Sequence, residues 1–183
     1  MRYAEADMRF IWLFLLNLVF AAQFIIPAKA QTPLTDATFA TAITNCLNEQ
    51  PVTGLCTSYG ASSGYGTMPN WDTSQVTDMT SAFQDRTTFN GDISAWNVSS
   101  VTNFSLMFFR ARAFNADLGS WDVSSGTNLK AMFTAANAFN ADIGRWDVSN
   151  NTDFFWMFWQ ASSFNKDISA WNVTSANSLG QMF

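Results

Sequence analysis

Phe89-Asn90-Gly91-Asp92-Ile93-Ser94-Ala95-Trp96-Asn97-Val98-Ser99 is the stretch on which the fold turns, because its pattern returns at a fixed interval until the sequence stops. Tryptophan stands at Trp71, Trp96, Trp121, Trp146 and Trp171, 25 residues apart each time. Before each of the last four comes Phe-Asn, at Phe89, Phe114, Phe139 and Phe164. Asp follows at Asp92, Asp117, Asp142 and Asp167, then an aliphatic residue at Ile93, Leu118, Ile143 and Ile168. After the Trp come Val98, Val123, Val148 and Val173, and twelve residues on is always Phe, at Phe83, Phe108, Phe133, Phe158 and Phe183. So many positions held at one period in this range predict stacked structural repeats.

Two local patterns alternate inside the repeat. Phe104, Met107, Phe108 and Ala111 fall at i, i+3, i+4 and i+7 behind Thr102-Asn103, and Leu129, Met132, Phe133 and Ala136 repeat the spacing. That is helix periodicity behind a capping residue, so a short helix is expected in each repeat. The Phe-Asn-x-Asp-Ile-x-x-Trp-x-Val part is short and rich in aromatic and β-branched residues, and it reads as one strand per repeat paired in parallel with its neighbours. The expected fold is therefore α/β: a leucine-rich-repeat-like solenoid with one short parallel strand and one short helix per 25-residue coil, plus a helical N-terminal cap. One coil cannot bury its apolar face alone, so stability has to come from stacking.

Composition narrows the function. The chain has 183 residues, 48% hydrophobic and 13% charged, with 18 Phe and 8 Trp supplying much of the apolar content, which is enough to fold. Net charge is −5. An acidic chain without a basic run gains nothing from phosphates, so no nucleic-acid partner is expected. Histidine is absent, which removes the commonest general base and zinc ligand together.

Three segments follow in order. Residues 1–30 carry an apolar run from Phe10 that ends at Ala28-Lys29-Ala30, and read as a secretory signal peptide cut after Ala30. A membrane contact is expected only through that segment, were it left uncleaved. Residues 31–70 read as a cap that covers the first repeat. Within it Phe39, Ala42, Ile43, Cys46 and Leu47 lie on one helical face behind Thr35, and Cys46 and Cys56 are expected to form a disulfide, as in exported proteins. Residues 71–183 hold four full repeats and one partial repeat. The last stops half-way through the motif, which reads as a truncated gene model, a fragment, or an end that pairs with another chain.

The pattern Phe-Asn-x-Asp-Ile-x-x-Trp-Asp-Val-Ser-x-x-Thr-x-Met-x-x-Met-Phe-x-x-Ala, over residues 66–183, resembles the BspA-like leucine-rich-repeat surface proteins, including the related mycoplasma-type surface repeats. The resemblance implies an extracellular or cell-surface protein associated with adhesion and with binding host or matrix proteins. It implies no catalytic residue. This chain departs from the pattern where Val76 and Val101 become Gly126, Asn151 and Ala176, and where Ala82 replaces the Met of later repeats.

The candidate sites are few. The Asn column (Asn90, Asn115, Asn140, Asn165) reads as a buried amide ladder bonding successive coils. The Asp column stacks like charges, so each carboxylate either accepts backbone N–H bonds or helps to gather calcium between coils. Phe155, Trp156 and Trp159 occupy slots that hold Thr80, Ser81 and Gln84 in the first repeat, and Leu106 and Phe109 do likewise in the second. These five are the binding candidates if the coil turns them outward; the competing reading buries them. Glycosylation sequons begin at Asn97, Asn103, Asn150 and Asn172; Asn103 and Asn150, nearer a turn, read as the better acceptors in a host that glycosylates, and Asn97 and Asn172, in the slot of Asp72, Asp122 and Asp147, as part of an Asn/Asp alternation.

The leading expectation is a secreted or cell-surface repeat protein that binds or adheres to an extracellular protein or glycan, with no cofactor and no metal. A structural wall or matrix component without a specific ligand is one alternative. A glycan-active enzyme is another, disfavoured by the missing histidine and by Ser and Thr residues that recur as repeat spacers.

Overall fold

A computed structural model of the chain describes residues 31–183. The expected signal peptide, residues 1–30, lies outside the described residues. No helix among the described residues is long and apolar enough to cross a membrane.

The N-terminal part carries the helices. Helix α1, Asp36–Glu49, starts at Thr35, whose N–H donates to Thr38 Oγ1 at 3.0 Å and offsets one unpaired donor of the first turn. It buries Phe39, Ala42, Ile43, Cys46 and Leu47, the face expected from the spacing, and gives way at Gln50, just before Pro51. The Cys46–Cys56 disulfide is present, with Cα atoms 5.1 Å apart and both residues fully buried. Helix α2, Thr57–Ser63, was not foreseen from periodicity. Its first turn is held from outside, because the Glu49 carboxylate accepts the N–H groups of Ser58 and Tyr59 at 3.0 and 2.8 Å. It ends on Gly64, whose φ of +80° suits glycine. A single 3-10 turn, Met68–Asn70, then delivers Trp71.

From Trp71 onward the expectation of a strand and a helix in every coil fails. Among the described residues there is no strand or sheet, and the only helices are those just given, all ahead of Trp71. The chain is therefore not a leucine-rich-repeat-like solenoid with a strand per repeat. In the stretch expected to be a strand the chain turns instead, with the Trp96 N–H on Ile93 O at 3.2 Å. In the stretch expected to be a helix, coils meet at isolated parallel bridges one residue wide: Asp78↔Asn103, Asn103↔Asn128, Asn128↔Asp153 and Asp153↔Ser178.

The hydrogen bonds of that second stretch explain the misreading. Phe104, Leu106, Phe108 and Arg110 donate to Asn128, Lys130, Met132 and Thr134 of the next coil, at 2.9, 2.9, 2.9 and 2.8 Å. The N–H groups between them close turns three residues back, from Met107 to Phe104 and from Phe109 to Leu106. Alternate donors thus serve the stack and the local turn, which a helix with i to i−4 bonds cannot do. Leu106 and Arg110 sit in the left-handed region at φ of 59° and 57°, as do Ser81, Asp85, Ala131 and Ala135 in neighbouring coils. A left-handed non-glycine residue costs roughly 1–2 kcal/mol. At all six of these positions the residue's own N–H donates to the next coil, which helps to hold the conformation in place.

Packing is mostly aromatic. Phe83, Phe108, Phe133 and Phe158 stack face to face with centroids 5.3, 5.5 and 5.7 Å apart. Phe89, Phe114, Phe139 and Phe164 form a second column at 5.9, 6.2 and 5.8 Å. The columns interlock through contacts such as Phe133–Phe139 at 3.8 Å. Offset stacking of this kind adds about 0.5–1.5 kcal/mol per pair beyond area burial. It also fixes the register of one coil on the next at 25 residues.

Candidate functional site

Polar side chains at the corners of each coil are used locally. Asp92, Asp117, Asp142 and Asp167 each accept the N–H two residues on, from Ser94, Gly119, Gly144 and Ser169, at 3.0, 2.8, 3.0 and 2.9 Å. Asp72, Asn97, Asp122, Asp147 and Asn172 make the same bond after each Trp, at 3.1, 3.1, 3.1, 3.0 and 3.2 Å. A third set, Asp78, Asn103, Asn128 and Asp153, does so at the bridge positions. Such Asx turns let a short side chain replace a backbone acceptor where the chain changes direction. The Ser94 hydroxyl, with its N–H, holds the Asp92 carboxyl below the usual carboxylate range, and the Ser124 hydroxyl does the same for Asp122. Of the two readings of the Asp column, backbone acceptance is the one the geometry displays. Among the described residues no three Asp, Glu or Cys side chains converge as ligands of a metal.

The Asn column is a ladder, but a surface one. Asn115, Asn140 and Asn165 donate their backbone N–H to Oδ1 of Asn90, Asn115 and Asn140 at 2.8, 2.7 and 3.0 Å. Asn90, Asn115 and Asn165 are exposed and Asn140 half-buried, because the Phe before each one takes the inward position.

Phe155, Trp156 and Trp159 come together. The Phe155 and Trp156 rings lie 4.8 Å apart, and Trp156 stacks on Trp159 at 5.5 Å. Trp159 is 38% exposed and the other two are half-buried. Leu106 and Phe109 hold the same slots two coils earlier, also half-buried. Between them the third coil has only Ala131 and Thr134, both nearly inaccessible beneath their larger neighbours. Two cations border the aromatic side chains: the Arg110 guanidinium lies 5.1 Å from the Phe109 centroid, and Lys130 Nζ 5.9 Å from that of Phe155. Arg110 also pairs with Asp85 at 3.5 Å, both groups about half exposed.

Part of the cluster serves the next coil. Trp156 Nε1 donates to Gln181 Oε1 at 2.6 Å, and a Cβ placed on Gly180 would stand 3.5 Å from the Phe155 ring. Of the sequon asparagines, Asn97, Asn150 and Asn172 are exposed and Asn103 is half-buried at a bridge. Reading the sequence missed the cations over the rings, although their slots adjoin the aromatic ones. It also missed Asn151, a fully buried side chain whose two polar atoms have no partner among the described residues.

No curated protein and no solved structure matches the chain. A family model described as "Mycoplasma protein of unknown function, DUF285" matches residues 54–154 and again 106–183, so that the two matches overlap across the coils and together span most of the chain. The match covers the 25-residue coils with their Trp, paired Phe columns and three Asx corners, and the chain belongs to the DUF285 family, a mycoplasma-type repeat family.

Proposed function

We propose that the protein is secreted or displayed at the cell surface and binds an extracellular protein or glycan through the side chains at which its coils differ. The observation that carries this reading is the Phe155–Trp156–Trp159 cluster, with Leu106 and Phe109 on the same columns. A repeat protein whose core is the same in every coil has only the variable slots for recognition. Large aromatic side chains in those slots are the usual anchors of a partner surface. The sequence resemblance to BspA-like surface proteins, finer than the family match, agrees with it.

The test is an array of extracellular proteins and glycans probed with the intact chain and with a Trp156→Ser, Trp159→Ser double variant. Binding is expected to fall by at least about tenfold, since a buried aromatic anchor is worth about 2 kcal/mol or more. A double variant that binds as the parent does removes the cluster from recognition. The second reading is a structural wall or matrix component, favoured by the Trp156–Gln181 bond and by the seat of Phe155 on Gly180. On that reading the double variant loses thermal stability, and no array partner depends on the two indoles.

A further inference from the structure

The four sequons are not equivalent in the folded chain. Asn103 sits at the bridge between Asp78 and Asn128, half-buried, and its backbone carbonyl accepts the Met79 N–H at 2.9 Å. The hydroxyl residue of its sequon, Ser105, is buried. A sugar on Asn103 Nδ2 would have to lie where neighbouring coils meet. Asn150 is exposed, but its Nδ2 is turned onto the preceding coil and donates to Ser124 O at 2.8 Å. The hydroxyl of its sequon, on Thr152, is likewise committed to Thr127 O at 3.1 Å.

Asn103 Oδ1 also accepts the N–H two residues on, from Ser105 at 3.1 Å, so what sets Asn97 and Asn172 apart from it is exposure. Both are exposed, and in both the structural work falls on the carboxamide oxygen alone. Asn97 Oδ1 accepts the Ser99 N–H and hydroxyl at 3.1 and 2.7 Å, and Asn172 Oδ1 accepts those of Thr174 at 3.2 and 2.8 Å. Neither Nδ2 makes a hydrogen bond among the described residues. The same corner is built elsewhere from Asp, with Asp122 Oδ1 accepting from Ser124 and Asp147 Oδ1 from Ser149, so the fold has no use for the amide nitrogen. The bland account of Asn at these two positions is relief of charge, since Asp147 repels Asp122 across one coil, although the Ser124 hydroxyl and N–H outweigh that repulsion and hold the Asp122 carboxyl low. That account explains the lost charge and leaves the free nitrogen available.

We propose that Asn97 and Asn172 are the N-glycosylation sites of this protein and that Asn103 and Asn150 are not. In the step required, Nδ2 of the asparagine attacks C1 of a lipid-pyrophosphate-linked oligosaccharide. The C1–O bond to the pyrophosphate breaks, a C1–N bond forms, the lipid pyrophosphate leaves and one Nδ2 proton is lost. Three coils separate the two sites, which share one column, just after the Trp. The proposal rests on the reading of the protein as secreted or surface-displayed, and not on the binding role of the aromatic cluster, which occupies other columns.

The experiment places an exogenous secretory leader ahead of the full chain in a host that N-glycosylates, which makes the outcome independent of what residues 1–30 do. Secreted protein is released from its glycans by peptide-N-glycosidase in heavy-oxygen water, and each formerly occupied Asn is then read as labelled Asp by peptide mapping. Label at Asn97 and Asn172 only is the expected result. Label at Asn103 or Asn150, or an unlabelled Asn97 or Asn172 in the secreted protein, overturns the proposal. Asn97→Asp and Asn172→Asp together are expected to give a glycan-free chain with an unchanged melting temperature, because they reproduce the corners already present at Asp122 and Asp147.

Discussion

The indole N–H of Trp121 donates to the backbone carbonyl of Ile93 at 3.1 Å, across 28 residues of sequence. Trp96, Trp146 and Trp171 make the equivalent bond to Met68, Leu118 and Ile143 at 2.8, 2.9 and 3.1 Å. Each Trp therefore does two things at once: it fills the interior of its own coil and gives a carbonyl of the coil before it a second hydrogen bond, beside the backbone N–H that carbonyl already accepts. Phe at that position would keep most of the burial and lose the donor. Trp121→Phe is expected to destabilise the chain by about 0.5–1.5 kcal/mol, the net worth of one hydrogen bond, because the Ile93 carbonyl keeps the Trp96 N–H. Urea unfolding of the two proteins measures it, and equal midpoints would show that the indole acts by volume alone.

The left-handed positions make a separate prediction. Gln160 has a φ of 59° and an exposed side chain. Glycine there removes a strain of roughly 1–2 kcal/mol while adding about 0.5–1 kcal/mol of unfolded-chain entropy. Gln160→Gly is thus expected to stabilise by up to about 1 kcal/mol. Gln160→Val, which crowds the backbone further, is expected to destabilise by a similar amount. Calorimetry on both variants checks the sign, and a valine variant at least as stable as the glycine one would contradict the strain.

These positions also show where the sequence was legible and where it was not. Helix α1 could be read from Phe39, Ala42, Ile43, Cys46 and Leu47, because a single amphipathic face behind Thr35 has one regular solution. The coil of 25 residues was equally plain from its five tryptophans. The interior of the coil misled, since Phe104, Met107, Phe108 and Ala111 carry helical spacing without a helix. Tandem turns bring the same four side chains inward at the same intervals, and the deciding feature, a positive φ at Leu106 and Arg110, leaves no mark in residue type. Glycine would have announced those turns. The site was half legible, since identity at Trp156 and Trp159 differs from the repeat, whereas the bond of the Trp156 indole to Gln181 of the next coil is geometric.

Acid should loosen the junction between α1 and the first coil. The Asp36 carboxylate accepts the N–H groups of Thr77 and Asp78 at 2.7 and 3.1 Å and the Thr77 hydroxyl at 2.6 Å. The Thr77 hydroxyl leads in holding its carboxyl below the ordinary value of 3.8. A depressed folded-state value means that the contribution is fully present above pH 3.8 and is lost as pH falls through the lower, folded value. The melting temperature is therefore expected to be flat near neutrality and to fall in acid below that value. Asp36→Asn should reduce the slope, and a slope unchanged by it would assign the acid loss to the Asx corners instead.

Asn151 is a buried polar side chain without a hydrogen bond, at 0% exposure and with neither Oδ1 nor Nδ2 partnered among the described residues. Its slot holds Val76 and Val101 in the first two coils, both fully buried. The carboxamide fits only because the coil before it has Gly126, where an added Cβ would stand 3.3 Å from each of its polar atoms. Its backbone N–H already closes a turn on Val148 O at 2.9 Å, and a side-chain change leaves that bond intact. Leaving a buried polar group unsatisfied costs about 1–3 kcal/mol, and a β-branched aliphatic residue in its place matches the earlier coils. Asn151→Val is expected to raise stability by about 1–3 kcal/mol in urea unfolding, while Gly126→Val alone should lower it by crowding the Val123 carbonyl, 2.9 Å from the added Cβ, as well as the carboxamide. A stabilising Gly126→Val, or an Asn151→Val that unfolds earlier than the parent, would mean that the amide has partners in solution and that the pair is matched as it stands.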